Sequence, residues 1–202
     1  MGKIKFTSPP VIELVIGAQF NSPVFDNEFI YNYYQIIKDD FPKIQENPPL
    51  PFIIEKKEQP NESGILQGFH SRRFFINDKG NKLLQMQPDK ILFNWRKNSE
   101  LEEYPSFSDI LDLFNQFLTK VEESIPDITK KINQLEVTFV DQIFIDDFGL
   151  KTIQLNRVFN YLTFDAKVKG IQCNISFPHE EINGNLIFDL KSGHRKEKRV
   201  LT

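Results

Sequence analysis

LLQMQPDKILFNWRK (residues 83–97) and YPSFSDILDLFNQFLTKV (residues 104–121) together decide the fold of this chain. In the first stretch Leu84 and Met86 alternate with Gln85 and Gln87. After Pro88-Asp89, Ile91, Phe93 and Trp95 alternate with Leu92, Asn94 and Arg96. Successive side chains of a strand point to opposite faces, so this spacing predicts a hairpin with one apolar face. In the second stretch Phe107, Ile110, Leu111, Phe114, Phe117, Leu118 and Val121 recur at helical spacing and form one stripe. Sheet face and helix stripe must each leave water, and covering one with the other does both.

The same reading extends outward. Val11–Phe20 is a strand with Ile12, Leu14, Ile16, Ala18 and Phe20 on one side and Glu13, Gly17 and Gln19 on the other. Asp26 caps a helix striped by Phe29, Ile30, Tyr33, Tyr34, Ile37 and Phe41, and Phe25 with Ile30 has the spacing of a hydrophobic staple. Ser106, with Asp109 three residues later, starts the second helix. Pro42–Pro51 reads as an extended crossing segment and Gln59–Gly64 as a polar loop tip. Ile65–Phe69 and Arg73–Ile76 read as short strands, and Gly80 supplies a tight hairpin turn after Asn77. Gln134–Ile145 is a long strand with Leu135, Val137 and Phe139 on one face. Leu162–Val168, Ile171–Phe177 and Leu186–Leu190 follow as strands, with Asn183-Gly184 as a hairpin turn. The fold class is therefore α+β: a predominantly antiparallel sheet with two long amphipathic helices packed on one face. Residues 1–190 form a single domain on this reading, two related halves at about 9–100 and 101–190 being the alternative. Residues 191–202 read as a basic, disordered tail.

Composition bounds the class. The chain has 202 residues and 20 phenylalanines, enough to build a large aromatic core. A net charge of −3 argues against a nucleic-acid-coating protein. Cys173 is the single cysteine, which fits a reducing compartment; alternating with Ile171 and Ile175, it reads as a small buried hydrophobe rather than a nucleophile. No signal peptide and no apolar run of membrane-spanning length is seen, so the expected location is cytoplasmic, with no membrane partner. His70, His179 and His194 lack metal-ligand spacing and are expected in loops or the tail. Gly-rich phosphate loops, calcium loops and a nucleophile elbow are also missing. The chain is thus expected to be no enzyme and to need no cofactor or metal.

Four segments resemble a sporadically distributed bacterial family of no established function: PPVIELVIGAQF (9–20), LLQMQPDKILFNWRK (83–97), YPSFSDILDLFNQFL (104–118) and QLEVTFVDQI (134–143). Asn94-Trp95-Arg96 and Tyr104-Pro105 are its most specific elements. The resemblance implies an α+β fold and no catalytic residue. It also implies an accessory, regulatory or immunity role in a mobile or defence-associated gene neighbourhood. Members continue with a further strand and helix where this chain reads KSGHRKEKRVLT (191–202), so the implication stops near Phe188.

Alternation also marks a candidate binding surface. If Leu84, Met86, Phe93 and Trp95 face a helix, then Gln85, Gln87, Asn94 and Arg96 face away, and Arg73 is expected beside them on one exposed polar face. Trp95 itself reads as core. A surface of amides and guanidiniums suits a protein partner. Nucleic acid is the alternative, because Arg72, Arg73, Phe74 and Phe75 mix basic and aromatic residues, although no RNP-like run is present. An enzyme with an unrecognised site is the third reading.

Overall fold

The computed structural model describes residues 10–54, 62–64, 71–100, 102–144, 172–179, 184–195 and 198–201. The chain divides into two compact units, residues 1–139 and 140–202. The predicted strands Ile65–Phe69 and Leu162–Val168 and residue His70 lie outside the described residues.

The first unit is built on a six-stranded sheet and two helices. In chain order its elements are β1 (Val11–Phe20), α1 (Asn27–Ile37), β2 (Lys43–Asn47), β3 (Phe52–Ile54), β4 (Glu62–Gly64), β5 (Arg72–Ile76), β6 (Lys82–Gln87), β7 (Lys90–Arg96) and α2 (Phe107–Ser124), then a 3-10 turn at Ile128–Lys131 and β8 (Ile132–Asp141). The spatial order is β2-β5-β6-β7-β1-β8, with β3 and β4 pairing separately. The fold is α+β with an antiparallel sheet, as the alternation predicts. Pairings β2–β5, β5–β6, β6–β7 and β7–β1 are all antiparallel. Asn21 N–H donates to the Lys131 carbonyl, which sets the start of β8 beside the end of β1.

Local chemistry explains the boundaries. Asp26 accepts from Phe29 N–H at 2.7 Å and caps α1. Ser106 and Asp109 form a reciprocal capping box on α2, leaving fewer orphan donors at its first turn. Gly80 turns the β5–β6 hairpin at φ 71°, a left-handed conformation that a side chain would strain. Two expectations are replaced by strands. Lys43–Asn47, read as part of a crossing segment, pairs with β5 as the outermost strand, and Glu62–Gly64, read as a loop tip, pairs with β3.

One sheet face carries the core. Cross-strand rows Met86–Ile91–Ala18 and Leu84–Phe93–Ile16, with Trp95 opposite Leu14, lie on it. They share one buried cluster with Ile30, Tyr33 and Ile37 of α1 and Ile110, Phe114, Phe117, Leu118 and Val121 of α2. Phe117 meets Phe41 and Phe93, and Trp95 meets Tyr104 edge-on at 5.3 Å. Tyr33 Oη donates to the Phe117 carbonyl at 3.0 Å, tying the two helices. Phe107, the first residue of the predicted stripe, is 38% exposed.

The second unit contains a four-stranded sheet ordered β10-β11-β12-β9, from β9 (Ile143–Phe144), β10 (Gln172–His179), β11 (Gly184–Arg195) and β12 (Lys198–Leu201). Gly184 is already in β11, opposite His179, rather than in a two-residue turn. The basic end, expected to be disordered, is paired backbone: Ser192, Gly193, His194 and Arg195 oppose Leu201, Val200, Arg199 and Lys198. His179 and His194 therefore sit in strands, not in loops. Cys173 is in β10, opposite Leu190. No helix among the described residues is long and apolar enough to cross a membrane.

Candidate functional site

The predicted polar face exists, with two corrections. Gln85, Gln87 and Asn94 do share the sheet face opposite the core, but they are 5%, 2% and 3% exposed. The face is buried, not solvated. Arg73 does not belong to it. The register places Arg73 opposite Met86, and Met86 opposite Ile91, so Arg73 lies on the core side at the rim. There it pairs with Glu46 at 3.5 Å and approaches Asn27 of α1 at 3.4 Å. Arg72, one residue earlier, has the right parity and takes the place expected for Arg73.

Buried amides are tolerable only when bonded, and these are. Arg72 Nη1 donates to Gln85 Oε1 at 3.0 Å, and Gln85 Nε2 donates to Asn94 Oδ1 at 2.6 Å. Asn94 Nδ2 donates to Glu13 Oε1 at 2.6 Å, and Arg96 Nε donates to the same oxygen at 2.8 Å. This chain crosses β5, β6, β7 and β1. Its Arg96 end is the most open to water, at 42% side-chain exposure against 23% for Glu13. Burial holds the Arg72 guanidinium below its ordinary pKa, and the like charge of Arg96 adds to the effect.

A second cluster closes the β6–β7 end. Gln87 brackets the backbone of Leu50: Oε1 accepts from Leu50 N–H at 2.9 Å and Nε2 donates to the Leu50 carbonyl at 3.0 Å. Lys90 Nζ donates to the Pro51 carbonyl at 2.5 Å. The Pro-rich segment therefore crosses this end of the face, at Gln87 and Lys90. Burial lowers the Lys90 pKa; Asp89 and Glu136 oppose the shift, and Arg72 adds to it. Gln87 Nε2 also donates to Asp89 Oδ1 at 2.7 Å. Arg72 Nε and Asp89 Oδ2 are buried atoms without a hydrogen-bond partner. A small cleft on the Lys90 side of this face is lined by Gly17, Gln19, Lys90, Leu92, Gln134 and Glu136, among others. Gly17 makes room for Leu92, because a Cβ there would lie 3.0 Å from its side chain.

Sequence reasoning missed Glu13, Asp89 and Lys90 as members of these clusters. Glu13 was findable, since it shares parity with Gly17 and Gln19 on β1. The contacts of Leu50 and Pro51 use backbone carbonyls and an N–H, which no residue type announces. Among the described residues no group of three or more His, Cys, Asp or Glu is placed to hold a metal ion.

A different surface remains unsatisfied. β8 is the outermost strand on its side of the sheet. Its apolar residues Leu135, Val137 and Phe139 are 69%, 50% and 49% exposed. Phe139 lies 6.1 Å from the half-open Phe107 ring of α2, whereas Gln134 and Glu136 turn to the polar cleft. The stripe therefore runs along the helix side of an edge that no other strand among the described residues pairs with. No family model matches the chain, and no curated protein matches it.

Proposed function

We propose that this is a cytoplasmic, non-enzymatic binding protein that engages a polypeptide partner through the β8 edge of its larger sheet. The observation that carries the reading is the ten-residue edge strand with three large apolar side chains open to water. Free strand edges are templates for pairing, and native proteins usually blunt them with charge, Pro or short length. The opposite edge, β2, follows that practice: it has five residues, with Lys43 and Glu46 among them. Between Ile132 and Val140, β8 has Glu136 as its sole charged residue and no Pro. Main-chain pairing at such an edge gives affinity, and the alternate side chains give specificity.

The reading takes both helices to cover the same sheet face. Strand order supports this. The β1–α1–β2 and β7–α2–β8 connections each join strands of like direction, one pair running opposite to the other, and shift in opposite lateral senses. Two right-handed crossovers of that kind place their helices on one side. The nucleic-acid alternative would use Arg72, Arg73 and Arg96, but Arg72 is bonded to Gln85 and the other two are each paired to a glutamate, so we favour a protein partner. Val137→Lys tests the reading. Capture of the native partner should be lost while the melting temperature stays that of the wild type. Undiminished capture would refute edge binding.

A further inference from the structure

We infer that the polypeptide seated on the β8 edge is a second copy of this chain, paired antiparallel about a two-fold axis through Val137. The inference rests on the edge-binding reading above and names its partner. A two-fold interface uses the same patch twice, so residue i meets j and j meets i. Centring an antiparallel pair on Val137 sets Val137 against itself and Leu135 against Phe139 in both directions. All three exposed apolar residues then find apolar partners on the same face, and directly opposed side chains are the pairs that stabilise a sheet. Glu136 falls opposite Thr138, so no like charges oppose each other across this central stretch. Thr138 Oγ1 already donates to Glu136 Oε1 at 3.0 Å within one chain, so the same two groups are chemically matched across the axis.

Other registers do worse. Centring on Leu135 sets Val137 against Asn133, and centring on Phe139 sets Val137 against Asp141. Each sets at least one of the three exposed stripe residues against a polar side chain, whereas the Val137 register does so only to Val140, opposite Gln134. The Val137 register also brings Phe107 of each copy, in ring contact with its own Phe139, alongside the shared stripe. A foreign strand would need to reproduce this pattern, whereas a second copy does so by symmetry.

Sedimentation of the full chain over a concentration series tests the inference, together with Val137→Lys and with Val137→Cys in a Cys173→Ala background. The expected result is a dimer for the wild type, a cooperatively folding monomer whose melting temperature no longer depends on concentration for Val137→Lys, and a disulfide-linked dimer for Val137→Cys on mild oxidation. Residues on the two-fold axis of an antiparallel pair are near enough for that bond. Glu136→Cys in the same background should give no cross-link. A wild-type monomer at every concentration overturns the inference; if Val137→Lys nonetheless loses a foreign partner, edge binding stands and only the second copy is refuted. A dimer that survives Val137→Lys also overturns it, since the contact then lies elsewhere.

Discussion

Replacing Asn94 with Ala should destabilise the first unit by about 1–3 kcal/mol, for a reason that can be followed atom by atom. Asn94 accepts from Gln85 and donates to Glu13. After truncation Glu13 keeps Arg96, so its carboxylate is not abandoned. Gln85 Nε2 has no such alternative and is left buried. A stranded buried donor costs about 1–3 kcal/mol, against about 1 kcal/mol net for an ordinary hydrogen bond. Asn94→Asp separates this account from simple loss of volume. It keeps the shape but sets a second carboxylate against Glu13, so the loss should be larger at neutral pH. Part of it should return in acid, as one carboxyl of the pair protonates. The assay is urea unfolding followed by tryptophan emission, which reports the first unit because Trp95 is the single tryptophan. Combining Asn94→Ala with Gln85→Ala should cost less than the sum of the two, with a coupling of about 0.5–3 kcal/mol. A single-variant loss below about 0.5 kcal/mol, within the range of neutral surface changes, together with strict additivity, would refute the network.

Phe114→Ala should cost about 3–5 kcal/mol, because the ring is 3% exposed within the helix–sheet core and leaves a cavity; melting within a degree or two of the wild type would remove it from the core. Trp95, 2% exposed, should show blue-shifted native emission and slow acrylamide quenching, and a red-shifted, easily quenched signal would place it at the surface. Tyr33 carries a pH prediction. Burial, then the nearby Glu123, raises its pKa above the ordinary 10.0, so its contribution is intact below pH 10.0 and falls away as pH rises beyond it. Tyr33→Phe should therefore be less stable by about 1 kcal/mol at neutral pH, through loss of the bond to the Phe117 carbonyl, yet lose less stability than the wild type on alkalinisation; parallel pH profiles would refute this.

Periodicity revealed elements and failed to reveal their covers. The bounds of β1, the caps at Asp26 and Ser106 and the parity of Trp95 were all legible, because each depends on neighbours within a few residues. Arg73 was also decidable: it shares parity with Phe75, and a core Phe75 puts Arg73 on the core side. Burial of Gln85, Gln87 and Asn94 was not legible. Alternation says which way a side chain points, not what meets it there. The answer came from Glu13, 81 residues from Asn94, and from Leu50, 37 residues from Gln87. An amide offers both a donor and an acceptor, so it is at home in water or in a closed network, and its partners decide which.

β8 presents the reverse case. Its alternation matches that of β7, and from sequence Leu135, Val137 and Phe139 look as core-bound as Ile91, Phe93 and Trp95. The difference lies in position. β7 has strands on both sides and α2 over its apolar face, whereas β8 is the last of the described strands in the sheet and meets α2 through the Phe107–Phe139 ring contact. One sequence pattern has thus been closed in one place and left open in another. Fully burying a large aliphatic or aromatic side chain is worth about 1.5–3 kcal/mol, and Leu135, Val137 and Phe139, each about half exposed or more, leave a part of that gain for association to collect. The polar face, by contrast, has spent its hydrogen bonds internally and offers a partner little beyond the Arg96–Glu13 rim. The face chosen on polarity is therefore bonded within the sheet, and the strand with its apolar stripe open is where binding should be sought.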